Sequence, residues 1–164
     1  MLVRSTLLAF ALTLSLAGAT ARAADQACSV SITGAVKASF RCKISFLTRG
    51  DGAVRVLIAP DKLPKNVKVM IPGEFELPAP VQAQVYPLDR LTFAKSTLTS
   101  SSHATFGAAK GKKERRGDVT VTVTRVENVA PGHDVKPSLS GKMEAHLVPS
   151  SGNAKGEAQV TVTF

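Results

Sequence analysis

Apolar and polar residues alternate along most of this chain. From Cys28 the apolar positions run Cys28, Val30, Ile32, then Val36, Ala38, Phe40, Cys42, Ile44 and Phe46, with Ser, Thr, Lys and Arg filling most places between. A period of two places one set of side chains on one face of a strand, so this stretch predicts a β-hairpin turning near Gly34-Ala35. The pattern returns at Val54, Val56 and Ile58, at Val67, Val69 and Ile71, and at Val81, Ala83 and Val85. It returns again at Val119, Val121 and Val123, at Met143, Ala145 and Leu147, and at Ala158, Val160, Val162 and Phe164.

Turn formers separate these runs: Gly50-Asp51-Gly52, Pro60-Asp61, Pro72-Gly73, Pro131-Gly132 and Ser151-Gly152-Asn153. Short strands that are apolar on one face, with no helical periodicity after the N-terminus, predict an all-β domain. The expected architecture is an antiparallel β-sandwich, immunoglobulin-like, of about eight strands. Residues 87–117 are the least regular part, read as one or two weak strands around Leu91 to Leu98 followed by a loop.

The N-terminus changes the picture of where the domain begins. Arg4, the apolar stretch Leu7 to Leu16, and the small residues ending Ala21-Arg22-Ala23 have the three-part layout of a secretory signal peptide. The apolar core is far shorter than the ~20 residues that span a bilayer. Residues 1–23 are therefore expected to be a leader and 24–164 a single β-sandwich domain, exported to the periplasm or the extracellular space, with no transmembrane helix in the mature chain.

Two cysteines lie in the exported part. Folding the first hairpin symmetrically about residue 35 sets Cys28 opposite Cys42, so the register read from hydrophobicity also brings the sulfurs together. In an oxidising compartment this predicts a disulfide within the N-terminal hairpin.

The full chain carries 21 Lys and Arg against 12 Asp and Glu, a net charge of +9. Removing Arg4 and Arg22 with the leader leaves +7. Such a balance attracts anionic neighbours without specifying a site. Its densest run is Lys110-Gly111-Lys112-Lys113-Glu114-Arg115-Arg116. Lys110, Lys112, Lys113, Arg115 and Arg116 are accordingly the candidate anion-binding residues. The same charges also suit a solvated hairpin tip, and the run carries no interleaved aromatic of the kind that stacks on nucleic-acid bases, the nearest being Phe106. No specific nucleic-acid partner is expected; the partners implied are an anionic envelope polymer or another protein.

Arg-Gly-Asp occurs at Arg49-Gly50-Asp51 and Arg116-Gly117-Asp118, where it suits a cell-adhesion motif or a tight turn between charged strand ends. The three histidines, His103, His133 and His146, have no companion at metal-ligand spacing, so neither a metal nor a cofactor is implied. No nucleophile elbow, zincin motif, phosphate loop or dinucleotide fingerprint is present. His133-Asp134 is the one adjacent acid/base pair from which a secreted hydrolase could be built.

The cysteine hairpin, Cys28-Ser-Val-Ser-Ile-Thr-Gly to Phe40-Arg-Cys42, and the closing pair, Gly141 to Pro149 and Gly156 to Phe164, resemble small, functionally uncharacterised secreted bacterial proteins with an immunoglobulin-like sandwich. That resemblance implies the fold and supplies no site residues. The reading that follows is a non-catalytic binding or structural module of the cell envelope, contacting anionic polymers through its basic loop and the Arg49 to Asp51 turn. The alternatives are a small outer-membrane β-barrel, suggested by the alternating final strand ending in Phe164, and an unrecognised secreted hydrolase. Short strands and few aromatics weigh against the membrane barrel, whose strands need about 9–11 residues and aromatic girdles.

Overall fold

The computed structural model describes residues 25–111, 115–129, 137–151 and 153–164. The leader expected over residues 1–23 lies outside them, as do Lys112, Lys113, His133 and Asp134. The strands are β1 (Asp25–Gly34), β2 (Ala38–Thr48), β3 (Val54–Pro60), β4 (Val67–Leu77), β5 (Val85–Pro87), β6 (Phe93–Ser100), β7 (Thr105–Lys110), β8 (Arg115–Arg116), β9 (Asp118–Glu127), β10 (Ser138–Pro149) and β11 (Ala158–Thr163).

The fold is all-β, but it is not the expected sandwich. The strands run in the order β10-β11-β1-β2-β3-β4-β6-β7, and β7 returns to β10 through Val148↔Gly107 and Pro149↔Phe106. Eight antiparallel strands thus close into a barrel. Alternation dictates that each strand buries one face, and a closed ring satisfies that requirement as well as two facing layers do. The choice is made by long-range pairings. β1 joins β11 from Ser29↔Thr163 to Gly34↔Ala158, linking the first strand to the last.

Irregularities at particular residues bend the wall. The register of β4 shifts between Val67 and Val69 and again between Ile71 and Glu74, and that of β10 shifts between Ser140 and Gly141. Such bulges bend a strand and raise its twist. They also correct the sequence reading of β4. Val67 stays buried, but Val69 turns outward at 48% exposure and Met70 takes the interior place.

The interior is packed with side chains. Val30, Ile44, Val54, Val56, Phe75, Leu77, Leu98, Leu147, Val160 and Val162 are each buried to 2% exposure or less. β6 and β7 line it with small residues, Ala94, Ser96 and Ala108, which fit a narrow taper. The buried Ser96 hydroxyl donates to the carbonyl of Pro72 at 2.9 Å. Among the described residues no buried side-chain polar atom lacks a partner.

The ring closes fully at one pole and splays at the other. Beyond the short β7–β10 contact, β10 pairs instead with β9, and β5 adds to the outer edge of β9. The segment between β4 and β6 fills the opening with Tyr86, Leu88 and Leu91, each at most 2% exposed. The Tyr86 hydroxyl donates to the carbonyl of Gln82 and accepts from its amide, at 3.1 and 2.8 Å. The alternation of Val81, Ala83 and Val85 predicts Val85 inward. The strand here is three residues long, Val85 is 51% exposed, and Tyr86 is the buried residue.

The reversal between β8 and β9 is made at Gly117. A Cβ there would lie 2.4 Å from the His146 carbonyl oxygen, and its φ of +59° is costly for side chains that branch from Cβ.

The first hairpin is as the sequence predicts. Cys28 pairs directly with Cys42, the Cα atoms stand 4.8 Å apart, and the two sulfurs are joined.

Candidate anion-binding groove

The four hairpin turns at the closed pole are those at 34–38, 60–67, 100–105 and 149–158. Antiparallel pairing gathers them at one end of the barrel, and with them Lys37, Arg41, Lys62, Lys65 and Lys68. In sequence these cations are scattered over 32 positions and form no run. In space they follow the rim, because Arg41 points outward one residue before the buried Cys42, Lys37, Lys62 and Lys65 occupy adjoining turns, and Lys68 stands at the start of β4.

Asn66 holds these turns together. Its side-chain amide donates to the Lys37 carbonyl at 2.7 Å, and its own carbonyl accepts from the Ser101 amide at 2.9 Å. The Asp61 amide donates to the Arg41 carbonyl at 3.0 Å, and the Val67 amide donates to that of Pro64 at 3.0 Å. Pro60 and Pro64 fix two backbone torsions in the same loop. The loop is therefore set in shape before any ligand arrives.

Between β2 and this loop lies a cleft of about 490 Å³ lined by Ser39, Phe40, Arg41, Asp61, Lys62, Leu63, Pro64 and Lys65. Phe40 and Leu63 are half-buried against the core. Arg41, Lys62 and Lys65 are exposed, and none of the three forms an ion pair among the described residues. Lys68 Nζ lies 2.8 Å from His103 Nε2.

The other pole is electrostatically different. Arg49 pairs with Glu76, Arg55 with Glu74, Arg115 with Asp89, and Arg125 with Glu127. These four arginines are matched by carboxylates, whereas Lys37, Arg41, Lys62 and Lys65 at the closed pole form no ion pair among the described residues.

Those of the candidate anion-binding residues singled out in the sequence that are described lie on the splayed side of the β7–β10 contact. Lys110 Nζ donates to the carbonyls of Asp89 and Leu91 at 2.8 and 2.7 Å, which fastens the wedge segment to β7. Arg115 Nη1 contacts Asp89 at 2.8 Å, and the Arg116 side chain lies over Gly107. Lys112 and Lys113 lie outside the described residues. In the first Arg-Gly-Asp, Arg49 turns onto Glu76 and the Asp51 carboxylate accepts from the Ala53 amide at 3.0 Å. In the second, Asp118 accepts from the Val119 amide at 2.9 Å. Both tripeptides serve as turns.

The Arg49 guanidinium is held above the ordinary arginine range, first by its hydrogen bond to Glu76 and then by the charges of Glu76 and Asp51. It stays charged across the neutral range.

Other concavities lie among the described residues. A groove of about 240 Å³ on the outer wall is lined by Asp118, Thr120, Glu144, His146, Gln159 and Thr161, and His146 Nε2 lies 2.7 Å from Glu157 Oε2 just beside it. Among the described residues no hydroxyl or thiol bonds to this histidine and no set of three His, Cys, Asp or Glu is placed to hold a metal. The second is an apolar cleft of about 560 Å³ at the splayed pole, lined by Asp51, Gly52, Ala79, Pro80, Val81, Val126 and Val129.

Comparison with protein-family models, with curated proteins and with solved structures finds no significant match to this chain.

Proposed function

We propose that this chain is an exported, non-catalytic binding module of the cell envelope that docks anionic polymers on its closed pole. The observation that carries this reading is the segregation of charge. Lys37, Arg41, Lys62 and Lys65 converge on one rim and form no ion pair among the described residues, while Arg49, Arg55, Arg115 and Arg125 of the other half are each paired with a carboxylate. Exposed cations grouped within a screening length of about 8 Å reinforce one another toward a polyanion.

Retention on immobilised heparin, eluted with a salt gradient, tests the proposal. Replacing Lys37, Arg41, Lys62 and Lys65 by Gln is expected to bring elution to markedly lower salt. Replacing Lys112, Lys113, Arg115 and Arg116 is expected to shift it less. Equal retention of the first variant and the unaltered protein would remove the closed pole as the site.

A second reading, an outer-membrane barrel, draws on one observation: eight antiparallel strands is the size of the smallest such barrels. What supports the aqueous reading is the outer wall, where Ser29, Ser31, Thr33, Arg41, Lys43, Lys142 and Glu144 are exposed and would face lipid. Charged side chains on a lipid face cost about 2–4 kcal/mol each near the bilayer midplane. Sedimentation of the oxidised protein in detergent-free buffer decides between them: a monodisperse species supports the envelope module, and obligatory detergent supports the membrane barrel.

A further inference from the structure

We propose that the cleft between β2 and the β3–β4 loop binds the alkyl chain of a phosphate-bearing amphiphile, a lipid, with the phosphate on Arg41, Lys62 and Lys65. The inference rests on the polyanion reading of the closed pole and narrows its ligand class.

The alternation of β2 assigns Phe40 to the interior alongside Cys42 and Ile44, which are 1% and 0% exposed. Phe40 is nevertheless only half-buried, because the cleft opens above it. Leu63 and Pro64 form the facing carbon wall. A hydrophilic polyanion would satisfy the rim cations and leave this floor wet. An amphiphile uses both, since its chain removes the Phe40 and Leu63 surface from water while its headgroup meets the cations. The volume lies within the ~300–1,000 Å³ typical of small-ligand sites. The loop is braced by Asn66 and two prolines, so little ordering cost opposes binding.

Each buried methylene contributes ~0.8 kcal/mol, about fourfold in affinity. Titration calorimetry of the oxidised protein with inorganic phosphate, hexyl phosphate and octyl phosphate, below micelle-forming concentrations, should show affinity rising severalfold with chain length. Octyl glucoside, which has the chain without the charge, should bind at least tenfold more weakly than octyl phosphate. The variant Leu63→Ser, at the periphery of the core, should flatten the chain-length dependence while leaving heparin retention unchanged. Lys62→Gln with Lys65→Gln should weaken every phosphate ligand alike. Octyl phosphate binding no tighter than inorganic phosphate, with heparin retention intact, would overturn the lipid groove and leave the polyanion reading standing. Octyl glucoside binding as tightly as octyl phosphate would overturn the phosphate assignment. Loss of heparin dependence on the closed-pole cations would instead fail the broader reading.

Discussion

Arg49 donates from Nη1 to both carboxylate oxygens of Glu76, at 3.2 and 3.1 Å, so that the first residue of a β2–β3 turn is fastened to the far end of β4. Glu76 is only 5% exposed, whereas the arginine is half in solvent. Removing the arginine strands a buried acceptor; removing the carboxylate frees an arginine that water can serve. Arg49→Ala should therefore lower the urea midpoint more than Glu76→Gln, and unfolding curves of the two variants check the order. The raised guanidinium pKa means that the stability linked to the arginine's own charge is fully present below the ordinary arginine range and is lost only as alkali rises through the raised value. Arg49 should thus add no slope to stability across neutral pH.

The Cys28–Cys42 bridge spans 14 positions. A loop of that length is expected to stabilise the fold by about 3 kcal/mol in the chain-entropy treatment. Denaturation with and without reductant should differ by that order. Alkylation should label neither cysteine until reductant is added.

Much of this architecture is legible in the sequence, and the parts that are not have physical reasons. The Cys28↔Cys42 register follows from alternation because both arms of the hairpin carry strong apolar contrast. β6 and β7 read as irregular because three of their interior positions are Ala94, Ser96 and Ala108, which barely differ from their neighbours in hydropathy. Val69 is misplaced because a bulge leaves no mark in composition. Closure is invisible to local pattern, since a sandwich and a barrel demand the same alternation and differ only in which distant strands meet. The groove is missed for a related reason: its cations come from a strand, β2, and from separate turns next to it, and the one run of basic residues draws the eye elsewhere.

Tyr86 is 1% exposed at the gap in the barrel wall, with both hydroxyl contacts made to Gln82. Tyr86→Phe should cost about 1 kcal/mol through the lost hydrogen bonds. Tyr86→Ala should cost about 3–5 kcal/mol by leaving a cavity between β9 and the wall. Thermal unfolding of the two variants separates the hydroxyl from the ring.

Gly34 closes the first hairpin at φ +91°, and a Cβ there would stand 2.4 Å from the Glu157 carbonyl oxygen. The Ala35 amide donates to that same oxygen at 2.8 Å, so the two turns are locked together. Gly34→Ala should lose about 1–3 kcal/mol through backbone strain. Amide exchange at Ala35 should accelerate along with it.

Because β1 begins and β11 finishes side by side at the splayed pole, Asp25 and Phe164 both point away from Asn66 and its braced turns. A fusion partner, affinity tag or surface linker joined at either of those residues would hold the barrel by its base, with the Phe40–Leu63 cleft turned toward whatever the protein is offered.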